Sequence, residues 1–265
     1  MTPISPRAVE SLCPPAPPQR FGRTIQGMSA VLVPFAPSGQ IDWEAFARHV
    51  ARTSGVGIVP AINMDTGYVQ LLDNADRLRA LTVAREVLGP TGEMVAGACV
   101  VDRPGDAFNR QAYGEQLEMI AAACALPVIF PSFGLTAGGD AETIAHLAEL
   151  GRQAGRFIGF ELSTEFVPCG RIFSLAAYEQ LLQIEQCIGA KHSSLSRRAE
   201  WERLAVRDRV RPEFRVFTGN DLAIDMVRYG SDWLLGLSTA VLEAFARRDA
   251  WWACLLYTSP SPRDS

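Results

Sequence analysis

The sequence predicts an α/β protein built as a closed (β/α)8 barrel, on three observations. Short apolar, β-branched runs alternate with amphipathic stretches, the alternation repeats eight times, and the runs are apolar almost throughout. Parallel strands covered on both faces read as continuous apolar runs, as in Ala30-Val-Leu-Val33 and Pro127-Val-Ile-Phe130. The units follow in order: strand Gly27–Phe35 with helix Asp42–Thr53, then Val56–Asn63 with Asn74–Leu88. Met94–Val101 precedes Ala107–Ala123, Pro127–Ser132 precedes Asp140–Gln153, and Phe157–Leu162 precedes Ser174–Ile184. The last three are Cys187–Lys191 with Ser196–Arg207, Phe214–Thr218 with Asp221–Tyr229, and Trp233–Leu237 with Thr239–Trp252. Asp42, Asn74, Asp140 and Ser174 are cap-type residues at helix starts. Leu78, Leu81, Val83, Ala84 and Val87 give the second helix an apolar face. Eight units in series favour closure, with a doubly wound open sheet as the alternative.

Composition narrows the class. The 265 residues are 48% hydrophobic and 20% charged, which suits a globular chain and not a disordered one. A net charge of -4 argues against nucleic acid as a partner, and no apolar run approaches the ~20 residues that span a bilayer. The first residues lack a secretory pattern, so the expected location is the cytoplasm. Cys13, Cys99, Cys124, Cys169, Cys187 and Cys254 are scattered without a Cys-x-x-Cys pair, which fits buried thiols better than disulfides or zinc. His49, His146 and His192 are too dispersed for a metal cluster, and neither a metal nor a cofactor is expected. Gly134-Leu-Thr-Ala-Gly-Gly139 is glycine-rich without the lysine of a phosphate-binding loop.

Both ends are set apart. Residues 1–26, with Pro14, Pro15, Pro17 and Pro18, are expected to form a loose arm before a barrel over 27–253. The run 254–265 breaks abruptly in composition from the helix before it. It resembles the in-frame translation of a transposase-based sequencing adaptor, which would leave the natural chain truncated near Ala253.

Of 25 basic side chains, only Lys191 is a lysine. A GC-rich genome favours arginine wherever only a charge is needed, but arginine cannot supply an amine that loses its proton. Lys191 falls at the end of strand six, in Cys187-Ile-Gly-Ala-Lys191-His-Ser-Ser194. Barrels of this kind place chemistry at the C-terminal ends of their strands. A lysine facing the barrel among branched apolar side chains is expected to have a depressed pKa. Its neutral amine can attack a ketone or aldehyde to form a Schiff base.

At these residues the chain resembles the dihydrodipicolinate synthase / N-acetylneuraminate lyase superfamily of class I aldolases, over Gly27 to about Trp252. The resemblance opens with Ala30-Val-Leu-Val-Pro-Phe35 and Gly39-Gln-Ile-Asp42 and centres on Ile188-Gly-Ala-Lys191-His-Ser-Ser194. It continues through Phe217-Thr-Gly-Asn-Asp221 and Tyr229-Gly-Ser-Asp-Trp-Leu-Leu-Gly-Leu-Ser238. It implies a TIM barrel followed by a C-terminal helical extension, most of which is missing here. It also implies a homo-oligomer (tetramer or dimer) at full length, a Schiff base on Lys191 and a small oxo-acid substrate.

The departures bear on mechanism. Where the family binds a carboxylate with Gly-Thr-Thr-Gly-Glu, this chain has Met64-Asp-Thr-Gly-Tyr68. Thr66 and Gly67 remain to meet an anion, while Asp65 stands where the family's proton relay has a hydroxyl. The family tyrosine after strand four is matched by Phe130-Pro-Ser-Phe133, with Phe133 in or next to its position. A phenyl ring moves no proton, which argues against genuine dihydrodipicolinate synthase or sialic-acid lyase activity. Glu161, among apolar neighbours at the end of strand five, is a candidate general acid/base with a raised pKa, the alternative being a carboxylate paired with Arg. Asp65 is the second such candidate. Ser132 is a candidate substrate contact or a turn former, and Arg171 a carboxylate clamp or a solvated charge. Ser193 shares the face of Lys191 by strand alternation, His192 then pointing outward. Gly219 and Asn220 are expected to shape the mouth.

The function expected is a Schiff-base lyase of aldolase type acting on a small 2-oxo acid or sugar-acid-derived carbonyl compound. A Schiff-base dehydratase of a deoxy sugar acid and a non-catalytic small-molecule-binding barrel are the alternatives.

Overall fold

The computed structural model describes residues 16–254. Eight parallel strands close on themselves in sequence order: β1 (Gly27–Ala30), β2 (Val59–Ile62), β3 (Val95–Ala98), β4 (Leu126–Ile129), β5 (Phe157–Leu162), β6 (Cys187–Ser193), β7 (Arg215–Thr218) and β8 (Asp232–Leu235). The helices are α1 (Trp43–Gly55), α2 (Asn74–Leu88), α3 (Arg110–Ala122), α4 (Phe133–Thr136), α5 (Asp140–Ala154), α6 (Leu175–Leu182), α7 (Arg197–Val210) and α8 (Leu242–Cys254). The closed (β/α)8 barrel expected from the sequence is therefore the architecture found.

Alternation along the strands sorts side chains into two apolar layers. Met28, Ala61, Val128, Phe160, Phe217 and Leu234 fill the lumen. Val50, Leu81, Leu117, Leu150, Leu181 and Ala190 pack between sheet and helices. The pairing of β5 with β6 sets Phe160 beside Lys191 and Glu161 beside His192, so each pair shares a face.

Several boundaries and caps differ from expectation. Asp42 and Ser174 do cap their helices, accepting from the amides of Ala45 and Ala177. Asn74 and Asp140 lie one residue inside, and the residues before them are Asp73, which accepts from Asp76, and Gly139, at φ 86°. The glycine-rich stretch from Gly134 contains most of the extra helix α4. The helix expected over Asp221–Tyr229 is only a 3-10 segment, Ile224–Tyr229, and a second one (Leu237–Ala240) precedes α8.

Residues 20–26 do not behave as a loose arm. Arg23 donates to Asp232 Oδ1 at 2.9 Å, Phe21 stacks on Trp252 with ring centroids 4.9 Å apart, and the Trp252 indole donates to the Arg20 carbonyl at 2.8 Å. These contacts lay the segment against β8 and α8. The rest of the proline-rich stretch through residue 15, Cys13 included, and residues 255–265 of the adaptor-like run lie outside the described residues; Cys254 closes α8. Cys99 and Cys187 are buried free thiols, whereas Cys124 and Cys254 are exposed, so only part of the buried-thiol expectation holds. Among the described residues no helix is long and apolar enough to cross a membrane.

Candidate active site

Lys191 projects into the lumen near the C-terminal end of β6 and is only 3% exposed. Its Nζ lies 3.4 Å from Asp65 Oδ1 and 4.3 Å from the centroid of the Phe160 ring. The amine thus lies between a carboxylate and an aromatic face.

The loop after β2 brings Asp65 to this point. Asn63 turns with φ 53°, and the amides of Tyr68 and Val69 then donate back to the carbonyls of Asp65 and Met64. Two glycines permit the close packing around it. A Cβ at Gly67 would lie 2.8 Å from the Val31 carbonyl oxygen, and one at Gly236 would lie 2.3 Å from Thr66 Oγ1. Thr66 therefore sits against the end of β8 and Gly67 against the end of β1, immediately after the lysine's partner. On the other side, Ser193 Oγ approaches the Gly219 carbonyl at 3.4 Å. A Cβ at Gly219 would fall 2.8 Å from Lys191 Cε, so glycine there leaves room for the lysine chain.

Asp221 belongs to the same neighbourhood and has no role in the expectations above. Burial raises its pKa, opposed by the Leu237 amide, which donates to its Oδ1 at 3.0 Å, and by the charge of Lys191. The Phe217-Thr-Gly-Asn-Asp221 run already marks the segment, but its acid becomes relevant only once β7 is placed beside β6.

Three expectations are corrected. Glu161 does not face the lumen. It is fully buried on the helix side, where Arg203 donates to both carboxylate oxygens at 2.8 and 3.0 Å and the Phe173 amide donates at 2.9 Å. His192 Nδ1 lies 2.8 Å from its Oε2. Burial alone would raise its pKa, but the charge and hydrogen bonds of His192 and Arg203 outweigh it and hold the carboxyl at about 2, opposite to the expected direction. Arg171 is not a free clamp, because it donates to Asp140 Oδ1 at 2.9 Å and to the Thr136 carbonyl at 2.8 Å. Ser132 is the cap of α4, its Oγ accepting from the Leu135 amide at 3.2 Å. Ser132→Ala should cost about 1 kcal/mol, read as a drop of roughly 2–4 °C in Tm, without loss of any covalent adduct at Lys191. Loss of the adduct at unchanged Tm would instead make Ser132 a substrate contact.

Phe133 sits at the start of α4, its amide donating to Asp102 Oδ1 at 2.8 Å, and its side chain helps wall a cavity that begins at Asp65. The Tyr113 hydroxyl, within the helix layer, donates to the Phe130 carbonyl at 2.8 Å. Among the described residues, no group of three or more His, Cys, Asp or Glu side chains is placed to hold a metal ion.

The fold and site define a (β/α)8 barrel with one buried lysine, in contact with the Asp65 carboxylate, at the C-terminal end of its sixth strand. Solved structures of the same fold include a monomeric dihydrodipicolinate synthase variant, 14% identical with a TM-score of 0.73 over 87% of this chain and 75% of that one. A prophage protein of the dihydrodipicolinic acid synthase family from E. coli K12, in complex with pyruvate, is 15% identical with a TM-score of 0.70 over 86% and 79%. N-acetylneuraminate lyase from Fusobacterium nucleatum, complexed with pyruvate, is 16% identical with a TM-score of 0.69 over 85% and 72%. No family model and no curated protein matches the sequence. At these identities the likeness shows the fold, which this chain shares with both kinds of enzyme.

Proposed function

We propose that the protein is a Schiff-base lyase of aldolase type, a divergent member of the dihydrodipicolinate synthase / N-acetylneuraminate lyase superfamily, acting on a small 2-oxo acid or sugar-acid-derived carbonyl compound. The observation that carries this is the contact between the chain's only lysine and Asp65 inside the barrel mouth. Transfer of a proton from Lys191 to Asp65 within that pair leaves a neutral amine. The amine attacks the substrate carbonyl carbon; Asp65 returns its proton to the carbinolamine hydroxyl, which leaves as water to give a protonated imine and restores the Asp65 carboxylate. The iminium draws electrons from the neighbouring C–C bond, which breaks as the departing hydroxyl-bearing carbon gives its O–H proton to a base and leaves as an aldehyde. Asp65 is within reach to take that proton, and later to return one to the enamine carbon. Thr66 Oγ1 and the amides of Thr66 and Gly67 receive the substrate carboxylate. Ser193 and Gly219 shape the floor beside the lysine. The site calls for no cofactor. A cytoplasmic homo-oligomer, dimer or tetramer at full length, completes the proposal.

The same imine eliminates water if the substrate carries a hydroxyl on the carbon β to its carbonyl, so a dehydratase of a deoxy sugar acid uses the same residues. A binder without turnover is favoured by one observation, the phenyl ring of Phe133 at the wall where the resemblance expects a phenol. Borohydride reduction with a panel of 2-oxo acids and sugar acids, followed by mass spectrometry, separates these. Reversible binding with no reducible adduct for any compound supports the binder. Asp65→Asn should still allow trapping but slow turnover by about 10²–10⁴, the usual contribution of a positioned acid/base. Unchanged turnover in that variant removes Asp65 from the mechanism.

A further inference from the structure

A cavity of about 250 Å3 opens outward from Asp65 between the ends of β3, β4 and β5. Its walls carry Val101, Phe130, Pro131, Phe133, Leu162 and Val167. It meets the lysine through two contacts: Asp65 touches Nζ, and the Phe130 ring packs edge-on against Phe160, the ring beneath Nζ, with centroids 4.9 Å apart. Asp65 is therefore the residue that the cavity wall and the lysine share, Lys191 itself lying behind it and not on the wall.

The polar groups on these walls are nearly all engaged. Asp102 accepts from the amides of Phe133 and Gly134, at 2.8 Å each. The Cys169 thiol approaches the Pro131 carbonyl at 3.7 Å, and burial pushes the Cys99 thiol up to about 11, so it stays neutral. Asp65 belongs to Lys191. Gln70 remains, exposed at the rim. Among the described residues no Arg, Lys, His, Ser, Thr or Tyr lines the cavity, and Ser132 and Arg171, which flank it in sequence, are turned to the α4 cap and to Asp140. A polyhydroxylated chain or a second carboxylate placed here would lose water without gaining partners, whereas an apolar group would only exclude water.

We infer that the aldehyde exchanged with the Lys191-bound 2-oxo acid carries an uncharged, apolar group, of the size of a substituted aromatic ring. This rests on the Schiff-base reading. In the synthetic direction the enamine carbon of the Lys191 adduct forms a bond to the aldehyde carbon, and the aldehyde oxygen takes a proton from Asp65. Water then hydrolyses the imine, freeing Lys191 and a 4-hydroxy-2-oxo acid bearing the apolar group. Cleavage runs the same steps in reverse. The size fits, since an apolar cavity of roughly 150 Å3 already admits benzene.

The test supplies the whole chain with pyruvate and, in turn, benzaldehyde, cinnamaldehyde, glyceraldehyde or succinic semialdehyde, and measures the 4-hydroxy-2-oxo acid formed. The two apolar aldehydes should be used with kcat/KM at least 100-fold above the other two. Val167→Asp, which puts a charge on the wall, should cut that preference at least tenfold. Equal or better use of glyceraldehyde or succinic semialdehyde, with pyruvate still trapped on Lys191, overturns the apolar site and leaves the lysine chemistry standing. If pyruvate is not trapped at all, the lysine chemistry falls, and the cavity is read separately by saturation-transfer NMR with benzyl alcohol and glycerol, neither of which forms an imine. Benzyl alcohol saturating at a concentration at least tenfold below glycerol, and losing that advantage in Val167→Asp, supports an apolar site. Equal saturation overturns it.

Discussion

Lys191→Ala should abolish the borohydride-trapped adduct completely, and should lower turnover by on the order of 10³-fold or more, the scale on which loss of a covalent nucleophile acts. The chain offers no second side-chain amine to substitute for it. Lys191→Arg sharpens the result, because it keeps the positive charge and a donor toward Asp65 while removing the ability to deprotonate near neutrality. If Lys191 matters only as the cationic partner of Asp65, the arginine variant stays active. If it forms the imine, both variants lose the adduct and the turnover. Neither change is expected to unfold the protein. The Asp65 side chain is 32% exposed, so water can solvate it once its partner is gone. An adduct of undiminished yield in either variant would overturn the Schiff-base mechanism.

Much of the fold was legible because parallel strands buried on both faces leave apolar runs, and because several helices begin at residues whose side chains cap them. The exceptions lie where distant residues decide the local structure. The first residues of the expected helix at Asp221 are held out of it. Asn220 Oδ1 accepts from the Leu222 amide, and Asp221 Oδ1 accepts from the Leu237 amide 16 residues away. Helix α4 has its first amides bound by Asp102, 31 residues before Phe133. No local pattern announces either contact. Within the site, the composition singled out Lys191 and strand alternation set Ser193 on its side. Arg171 meets its partner, Asp140, only through tertiary packing, which its local sequence does not show. Glu161 takes the alternative expected for it, a buried carboxylate paired with Arg, and the parity of its strand already carries that signal. Phe160 and Leu162 on either side of it are lumen residues, so the alternation of β5 alone turns Glu161 toward the helices.

That orientation gives Glu161 a structural task with a large measurable effect. Its carboxylate joins β5 to β6 through His192, to α7 through Arg203, and to the segment entering α6 through the Phe173 amide. Glu161→Gln keeps the shape but leaves the Arg203 guanidinium, itself 3% exposed, without an opposing charge. Breaking a buried pair from one side costs about 3–5 kcal/mol, which in a chain of this size lowers Tm by about 10 °C. The pH dependence carries the matching sign. A carboxyl held at about 2 in the fold, against 4.5 ordinarily, contributes stability that is fully present above pH 4.5 and is lost as the pH falls toward 2. Glu200 works in the other direction. It is buried behind β7 against Thr218 and raised to about 6, so its contribution is present below pH 4.5 and is lost as the pH rises through 6. The wild-type protein should therefore lose Tm steeply between pH 4.5 and 2, and Glu161→Gln should be less stable throughout the neutral range but flatter in acid. Lys191 faces the opposite side of the sheet, so at a temperature where the variant remains folded it should still form the reducible adduct. A Glu161→Gln protein of normal Tm that has lost turnover would return Glu161 to the catalytic machinery; a destabilised protein that still traps its substrate fits the buried staple.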